Sequence, residues 1–329
     1  MSGVQNLIVE KGEEDSRLDR WFKRRFPHVG QGMVQKMCRK GQIRVDGARV
    51  ETKTRVSVGQ MIRVPPLPEP GERKTAHLSD DDIRYVKSLV IFQNDDLIAF
   101  NKPSGLAVQG GSKTTRHLDG MLDAFGEGLK RPRLVHRLDK DTSGVLVVGK
   151  TPAATAKLAK AFQSHRTKKT YWAVAIGVPK PRLGEVKGFI KKAAGLGGDG
   201  DREQMVGASH GEEGAHHALT RYTVVADAGQ KASWVALRPV TGRTHQLRVH
   251  LAALGTAIIG DRKYTCHRPA PEDLGNRLCL HARRLEIPRD NASPLVIEAD
   301  LPPPLAKVFD KLGFDPRDVD EQMVEEQLL

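Results

Sequence analysis

The sequence predicts an α+β protein: a larger domain on a mixed, largely antiparallel sheet with flanking helices, preceded by a small α/β domain. Three observations lead there. Short apolar runs at 89–92, 97–100, 145–148 and 171–176 are broken by Gly, Pro and Asp, the pattern of strands in a buried sheet. Helices are expected at 116–126, 152–164 and 244–254 within the larger part. The proline-rich stretch Pro65-Pro66-Leu67-Pro68-Glu69-Pro70-Gly71 separates that part from a compact N-terminal module. The expected organisation is a small domain at 1–68, a linker at 69–87, a catalytic domain at 88–310 and an acidic tail at 311–329.

In the N-terminal module, Ser16 is placed to cap a helix running through Trp21 and Phe22, and Pro27 closes that stretch. A second helix carries Met33, Val34, Met37 and Cys38 on one face, with both methionines read as core, and Gly41 ends it. Asp46-Gly47 between β-branched residues is a hairpin signal. Further short strands are expected at 56–58 and 61–64 around Gly59. Between residues 16 and 55, twelve Lys and Arg oppose only Asp19, Asp46 and Glu51. Most of the net charge of +13 therefore sits on one small element. A solvated helix face usually mixes signs, so a local one-signed excess points to a nucleic-acid partner. Arg20, Arg24, Arg39, Lys40 and Arg44 are the candidate contacts.

Composition bounds the rest. A hydrophobic share of 39% supports a sizeable core and argues against disorder. Three cysteines, Cys38, Cys266 and Cys279, are too few and too unevenly spaced for a disulfide framework. No apolar run approaches the ~20 residues of a membrane span, and the N-terminus lacks the pattern of a secretory signal. A cytoplasmic, monomeric protein is expected. Residues 193–214 are rich in Gly and charge and read as a loop or hairpin insertion. The last twenty residues hold seven acids against two bases, and from Met323 a helix or a loose tail is expected.

Two polar stretches carry the candidate chemistry. His136-Arg137-Leu138-Asp139-Lys140-Asp141-Thr142-Ser143-Gly144 packs charge into a turn just before an apolar strand, where rigid scaffolds present functional groups. Thr241-Gly242-Arg243-Thr244-His245-Gln246-Leu247-Arg248-Val249-His250 enters helical spacing at Thr244. Physics alone leaves two readings open: a functional cleft, or loops of satisfied salt bridges and helix caps.

These stretches resemble the signature of bacterial pseudouridine synthases that modify ribosomal and transfer RNA. The resemblance continues through Lys169-Thr170-Tyr171-Trp172-Ala173 and Leu280-His281-Ala282, so four separated motifs occur in order. Asn101-Lys102-Pro103-Ser104-Gly105 and Val108-Gln109-Gly110-Gly111-Ser112 are similar to the C type of the large-subunit synthases, implying 23S ribosomal RNA or its precursor particles as substrate. Residues 16–64 resemble the alpha-L RNA-binding domain of ribosomal protein S-four. The resemblance implies a central cleft in which Asp139 is the nucleophile, Arg243 pairs with it and Tyr171 stacks on the base. Arg137 would fill the space left by a flipped nucleotide, and Lys102 would lie near the cleft as an RNA contact. No metal or organic cofactor is implied, because the detached uracil is retained and reused. One departure is Ala215-His216, where the family often has Gly-Lys before a Thr-x-Tyr strand.

Competing motifs fail on context. Residues 144–151 fit the phosphate-loop formula, but Val145-Leu146-Val147-Val148 favours a buried strand over a flexible amide cradle. Ser143, His136 and Asp141 are too close in sequence for a typical hydrolase triad. Cys266, His267, Cys279 and His281 lack the paired spacing of structural zinc. The remaining rivals are the same chemistry on transfer RNA, or a ribosome-assembly factor that binds RNA without catalysis.

Overall fold

The computed structural model describes residues 3–26, 28–67, 78–110, 114, 116–127, 130–164, 166–193, 204–290 and 292–329. The chain divides into two compact units, Met1–His77 and Leu78–Leu329. Pro27, residues 69–77 of the expected linker and residues 194–203 of the expected insertion lie outside the described residues.

The first unit contains β1 (Gln5–Ile8), α1 (Leu18–Arg25), α2 (Gln31–Arg39), β2 (Arg44–Val45), β3 (Ala48–Arg49) and β4 (Met61–Val64). Its four strands pair in the order β1-β4-β2-β3. Trp21, Phe22, Val34, Met37, Ile43, Val56 and Ile62 bury between helices and sheet. The Asp46-Gly47 turn joins β2 to β3 with both residues at positive φ, 49° and 79°, as a two-residue hairpin requires. Three details differ from expectation. Arg17, not Ser16, is the N-cap of α1, because the Ser16 hydroxyl donates instead to the Glu13 carbonyl at 2.8 Å. Met33 lies on the solvent side of α2 at 43% exposure, so only Met37 is core. Residues 56–58 form no strand; Val56 is buried, and its N–H reaches only the Ser16 carbonyl.

The second unit begins with α3 (Asp80–Ser88), capped by Ser79, so the C-terminal half of the expected linker is a helix packed on this unit. There follow β5 (Val90–Gln93), β6 (Leu97–Lys102), α4 (Leu118–Met121), β7 (Arg133–Leu134), β8 (Ser143–Gly149), α5 (Pro152–Gln163), β9 (Lys168–Ile176), β10 (Leu183–Lys192) and β11 (Met205–Ala208). The chain continues through β12 (His216–Ala228), β13 (Ala232–Pro239), α6 (Gln246–Ala253), β14 (Leu280–Arg289), β15 (Ala292–Glu298), α7 (Pro303–Leu312) and α8 (Glu321–Gln327). The strands form one mixed sheet in the order β11-β10-β12-β13-β9-β14-β8-β6-β5, with β15 on β14 and β7 on β8. Every pairing is antiparallel except β14 with β8. The would-be phosphate loop is β8 itself, buried along its whole length.

The acidic C-terminus is folded onto the unit. Val324 and Leu328 bury against the main core, Glu325 accepts from Arg238 and Thr170, and Gln327 accepts from Thr223 at 2.7 Å. A hydrophobic pair three to four residues apart on a short helix supplies that docking, which charge counting alone does not reveal.

Candidate active site

The parallel contact between β8 and β14 creates the site. A loop, residues 135–142, must enter β8 there, and Gly144 permits the approach. Its φ is +109°, and a Cβ would sit 2.2 Å from the Ala282 carbonyl oxygen of β14. Within the loop, side chains alternate. The His136 ring stacks on Phe162 with centroids 4.3 Å apart, and its Nε2 accepts from the Val147 N–H at 2.9 Å. Burial, then the nearby charge of Lys169, pulls this imidazole down to about 3, so it stays neutral. Leu138 buries with Phe100 and Leu118. That leaves Arg137 and Asp139 facing a cleft of about 520 Å³.

Lys102, expected as an RNA contact, is not one. Its side chain is fully buried, and Nζ donates to the carbonyls of Pro103 (3.0 Å), Leu106 (2.9 Å) and Lys140 (2.9 Å). Burial pulls the ammonium down to about 7, opposed by the carboxylates of Asp141 and Asp139. The lysine ties the loop that carries Asp139 to the end of β6. A buried donor has no surface to offer phosphate, and its own three acceptors already saturate an ammonium.

Tyr171 stands on β9 between Leu237 of β13 and Ala282 of β14, and its ring borders the cleft. Burial, then the negative charge of Asp139, pushes its phenol above the ordinary range, so it holds its proton. Lys169 lies two residues earlier on the same strand face and lines the same cleft, its Nζ 5.1 Å from the centre of the Phe162 ring. It makes no ion pair among the described residues, and burial lowers its pKa.

The segment from β13 into α6 forms the opposite wall. Gln246 fixes it: its Oε1 accepts from Thr241 Oγ1 (2.7 Å) and the Arg243 N–H (3.1 Å), while Nε2 donates to the Leu219 carbonyl and Thr220 Oγ1, both at 2.9 Å. The expected ion pair between Arg243 and Asp139 is absent among the described residues. Arg243 is exposed at the cleft rim and its Nε donates to the His217 carbonyl at 3.1 Å. A basic group close to Asp139 is His245, with Nε2 3.9 Å from Oδ2, and the Arg248 guanidinium, which lines the same cleft, also feels the Asp139 charge. Behind it, Arg248 and Asp261 form a buried bidentate pair with both contacts at 2.7 Å.

The structure thus brings Arg137, Asp139, Tyr171 and Arg243 to one cleft and removes Lys102 from it. Residue reasoning missed Lys169 and His245. Lys169 had a readable signal, its two-residue spacing from Tyr171 on a strand. His245 owes its place to a left-handed backbone, φ 52° and ψ 16°, which no local pattern announces.

Residues 96–253 match the RNA pseudouridylate synthase family. Ribosomal large subunit pseudouridine synthase C of Rickettsia felis is 37% identical over 256 residues, covering 76% of this chain and 81% of the relative. The protein of that name from Haemophilus influenzae is 30% identical over 318 residues, covering 94% and 96%. Human RNA pseudouridylate synthase domain containing 4 is similar in structure, with a TM-score of 0.58 and 28% identity over 71% of this chain and 98% of that one. An extended, in-order match of this kind, on a mixed sheet whose central strands meet at a carboxylate-bearing cleft, places the chain: it belongs to the RNA pseudouridine synthase family, isomerases that convert uridine in RNA to pseudouridine.

Proposed function

We propose that this enzyme modifies uridines of large-subunit ribosomal RNA, with Asp139 as its nucleophile. The observation that carries the assignment is that Asp139 is the sole carboxylate lining the cleft among the described residues. The reaction breaks the bond from ribose C1′ to N1, turns the uracil and joins C1′ to C5, with the C5 hydrogen leaving as a proton and N1 taking one up, so that the product is an isomer. A carboxylate that adds covalently, or that stabilises or deprotonates the sugar, divides one hard step into easier ones.

The neighbouring groups fit that chemistry. Tyr171, held as a neutral phenol, offers a stacking face and a hydroxyl to the base. Arg137 and Lys169 line the cleft as cations suited to a flipped nucleotide and its phosphate, the kind of contact that lowers the cost of extruding a base. Arg243, at the rim, is placed to swing toward Asp139 once RNA displaces its contact with His217. The first unit serves as the RNA anchor. Arg20, Arg24, Arg39 and Lys40 are exposed and make no ion pair among the described residues. Arg44 is instead a turn clamp, donating to the carbonyls of Gly41 and Gly47.

The full-length relatives named for the large ribosomal subunit support the choice of RNA. Mapping pseudouridines in ribosomal and transfer RNA from cells lacking the protein tests it. Loss of large-subunit positions, restored by the wild type but not by Asp139→Asn, is the expected result. Loss confined to transfer RNA would overturn the substrate.

A further inference from the structure

We infer that His245 is a positioning residue for the reaction: a neutral imidazole that aims its Nε2–H at the Asp139 carboxylate because Tyr264 makes its other nitrogen an acceptor. The inference rests on the reading that Asp139 reacts.

The geometry begins with the backbone. His245 is the N-cap of α6 in left-handed conformation, a strained choice for a residue with a Cβ. That turn directs the ring inward, where it is 9% exposed, with Nε2 3.9 Å from Asp139 Oδ2 and Nδ1 2.8 Å from the Tyr264 hydroxyl. The Tyr264 oxygen already accepts the N–H of Met205, the first residue of β11, at 2.8 Å. A phenol has one proton to give. If Nδ1 carried a hydrogen, the phenol would accept twice and its own proton would be stranded in a buried site, which costs more than the alternative. Tyr264 therefore donates to Nδ1, and the imidazole proton lies on Nε2, facing Asp139.

The surroundings keep the ring neutral. Burial is the largest influence lowering its pKa, the cations of Arg248 and Lys263 oppose a second proton, and Asp139 and Asp261 favour one. Burial likewise raises the Tyr264 phenol, so its proton stays in place to be donated. A separation of 3.9 Å is too long for a hydrogen bond in the resting site, so the inference requires the carboxylate to rotate toward the imidazole when RNA binds, as catalytic hydrogen bonds often tighten only with substrate. A neutral donor orients an ionised carboxylate without cancelling the charge that makes it reactive. The chain Met205–Tyr264–His245–Asp139 gives the hairpin of β10 and β11 a part in the chemistry.

The test uses the full-length protein with ¹⁵N-labelled histidine. Long-range ¹H–¹⁵N spectra at neutral pH identify His245 by its loss in H245Q, and the inference expects the Nε2–H tautomer. Turnover and KM are then measured for H245A, H245Q and Y264F. H245A lowers kcat about 10- to 100-fold at unchanged KM, the worth of one hydrogen bond to a charged group. H245Q, which keeps an N–H at the same reach, recovers most of that loss. Y264F lowers kcat about 3- to 10-fold and mixes the tautomers. An Nδ1–H tautomer or an imidazolium in the wild type overturns the inference, and that spectrum decides even where H245A fails to fold. So does an H245Q no better than H245A. Asp139→Asn measured alongside separates the two claims: turnover there overturns the role of Asp139, whereas an inactive Asp139→Asn with fully active H245A overturns only the role of His245.

Discussion

The Lys102 ammonium donates a 2.9 Å hydrogen bond to the carbonyl of Lys140, the residue that follows Asp139. With its bonds to Pro103 and Leu106, this buried donor ties the Asp139-bearing loop between β7 and β8 to the end of β6. Lys102→Met keeps the volume, strands the Pro103 and Leu106 carbonyls and leaves the Lys140 carbonyl with only the Gly105 N–H. The expected loss is about 3 kcal/mol of stability, since buried acceptors left unpaired cost more than the mean hydrogen bond. Turnover falls as well, because the loop loses its anchor. Urea denaturation and kcat of the purified variant check both, and a variant as stable and active as the wild type would show that the loop is held by other contacts.

Gly144→Ala tests the strand contact that builds the site. The φ of +109° and the 2.2 Å approach to the Ala282 carbonyl oppose any side chain, and the obstructing atom is backbone. A loss of about 3 kcal/mol or more is expected, with reduced turnover. A thermal scan showing an unchanged midpoint would mean that β8 and β14 separate freely.

Acid stability reports on three buried histidines. His136 is pulled down to about 3, and His250 and His281 to about 4, in each case chiefly by burial. Unfolded histidine titrates near 6.5, so between there and about 4 the unfolded chain binds more protons than the folded one. The stability these groups contribute is present above about pH 6.5 and declines as pH falls toward their folded values. The slope approaches at most about 4 kcal/mol per pH unit for three groups. Urea midpoints at pH 7.5, 6 and 5 measure it; a flat profile over that window contradicts neutral burial.

RNA affinity of the N-terminal unit is predicted to be electrostatic. Replacing Arg20, Arg24, Arg39 and Lys40 with Ala weakens binding at low salt and reduces the slope of log K against log salt by roughly 3, at ~0.7–0.9 per lost phosphate contact. Filter binding across a salt series distinguishes this from an unchanged slope, which would place the anchor elsewhere.

Much of this was legible in the sequence because local rules govern it. Apolar runs give β6, β8 and β9, and Asp46-Gly47 gives its hairpin, because each depends on neighbours a few residues away. Asp139, Tyr171 and Arg243 were named through motif resemblance, and the fold brings all three to the cleft. What the sequence hid is set by distant contacts. Lys102 looked like a cation for RNA until its three carbonyl partners came from 103, 106 and 140. Arg243 lost its expected partner to a backbone carbonyl 26 residues away. Tyr264, isolated in sequence from every motif, acquires meaning only through Met205 and His245. The C-terminal helix resembled a charged tail because its two anchoring residues, Val324 and Leu328, are outnumbered by acids.

Asp139 is proposed to perform the isomerisation. Large-subunit ribosomal RNA carrying tritium at uridine C5 tests it most directly, because forming the new bond at C5 expels that hydrogen into water. Release by the wild type and none by Asp139→Asn, with RNA binding retained, is the predicted result. Continued tritium release by Asp139→Asn would contradict it.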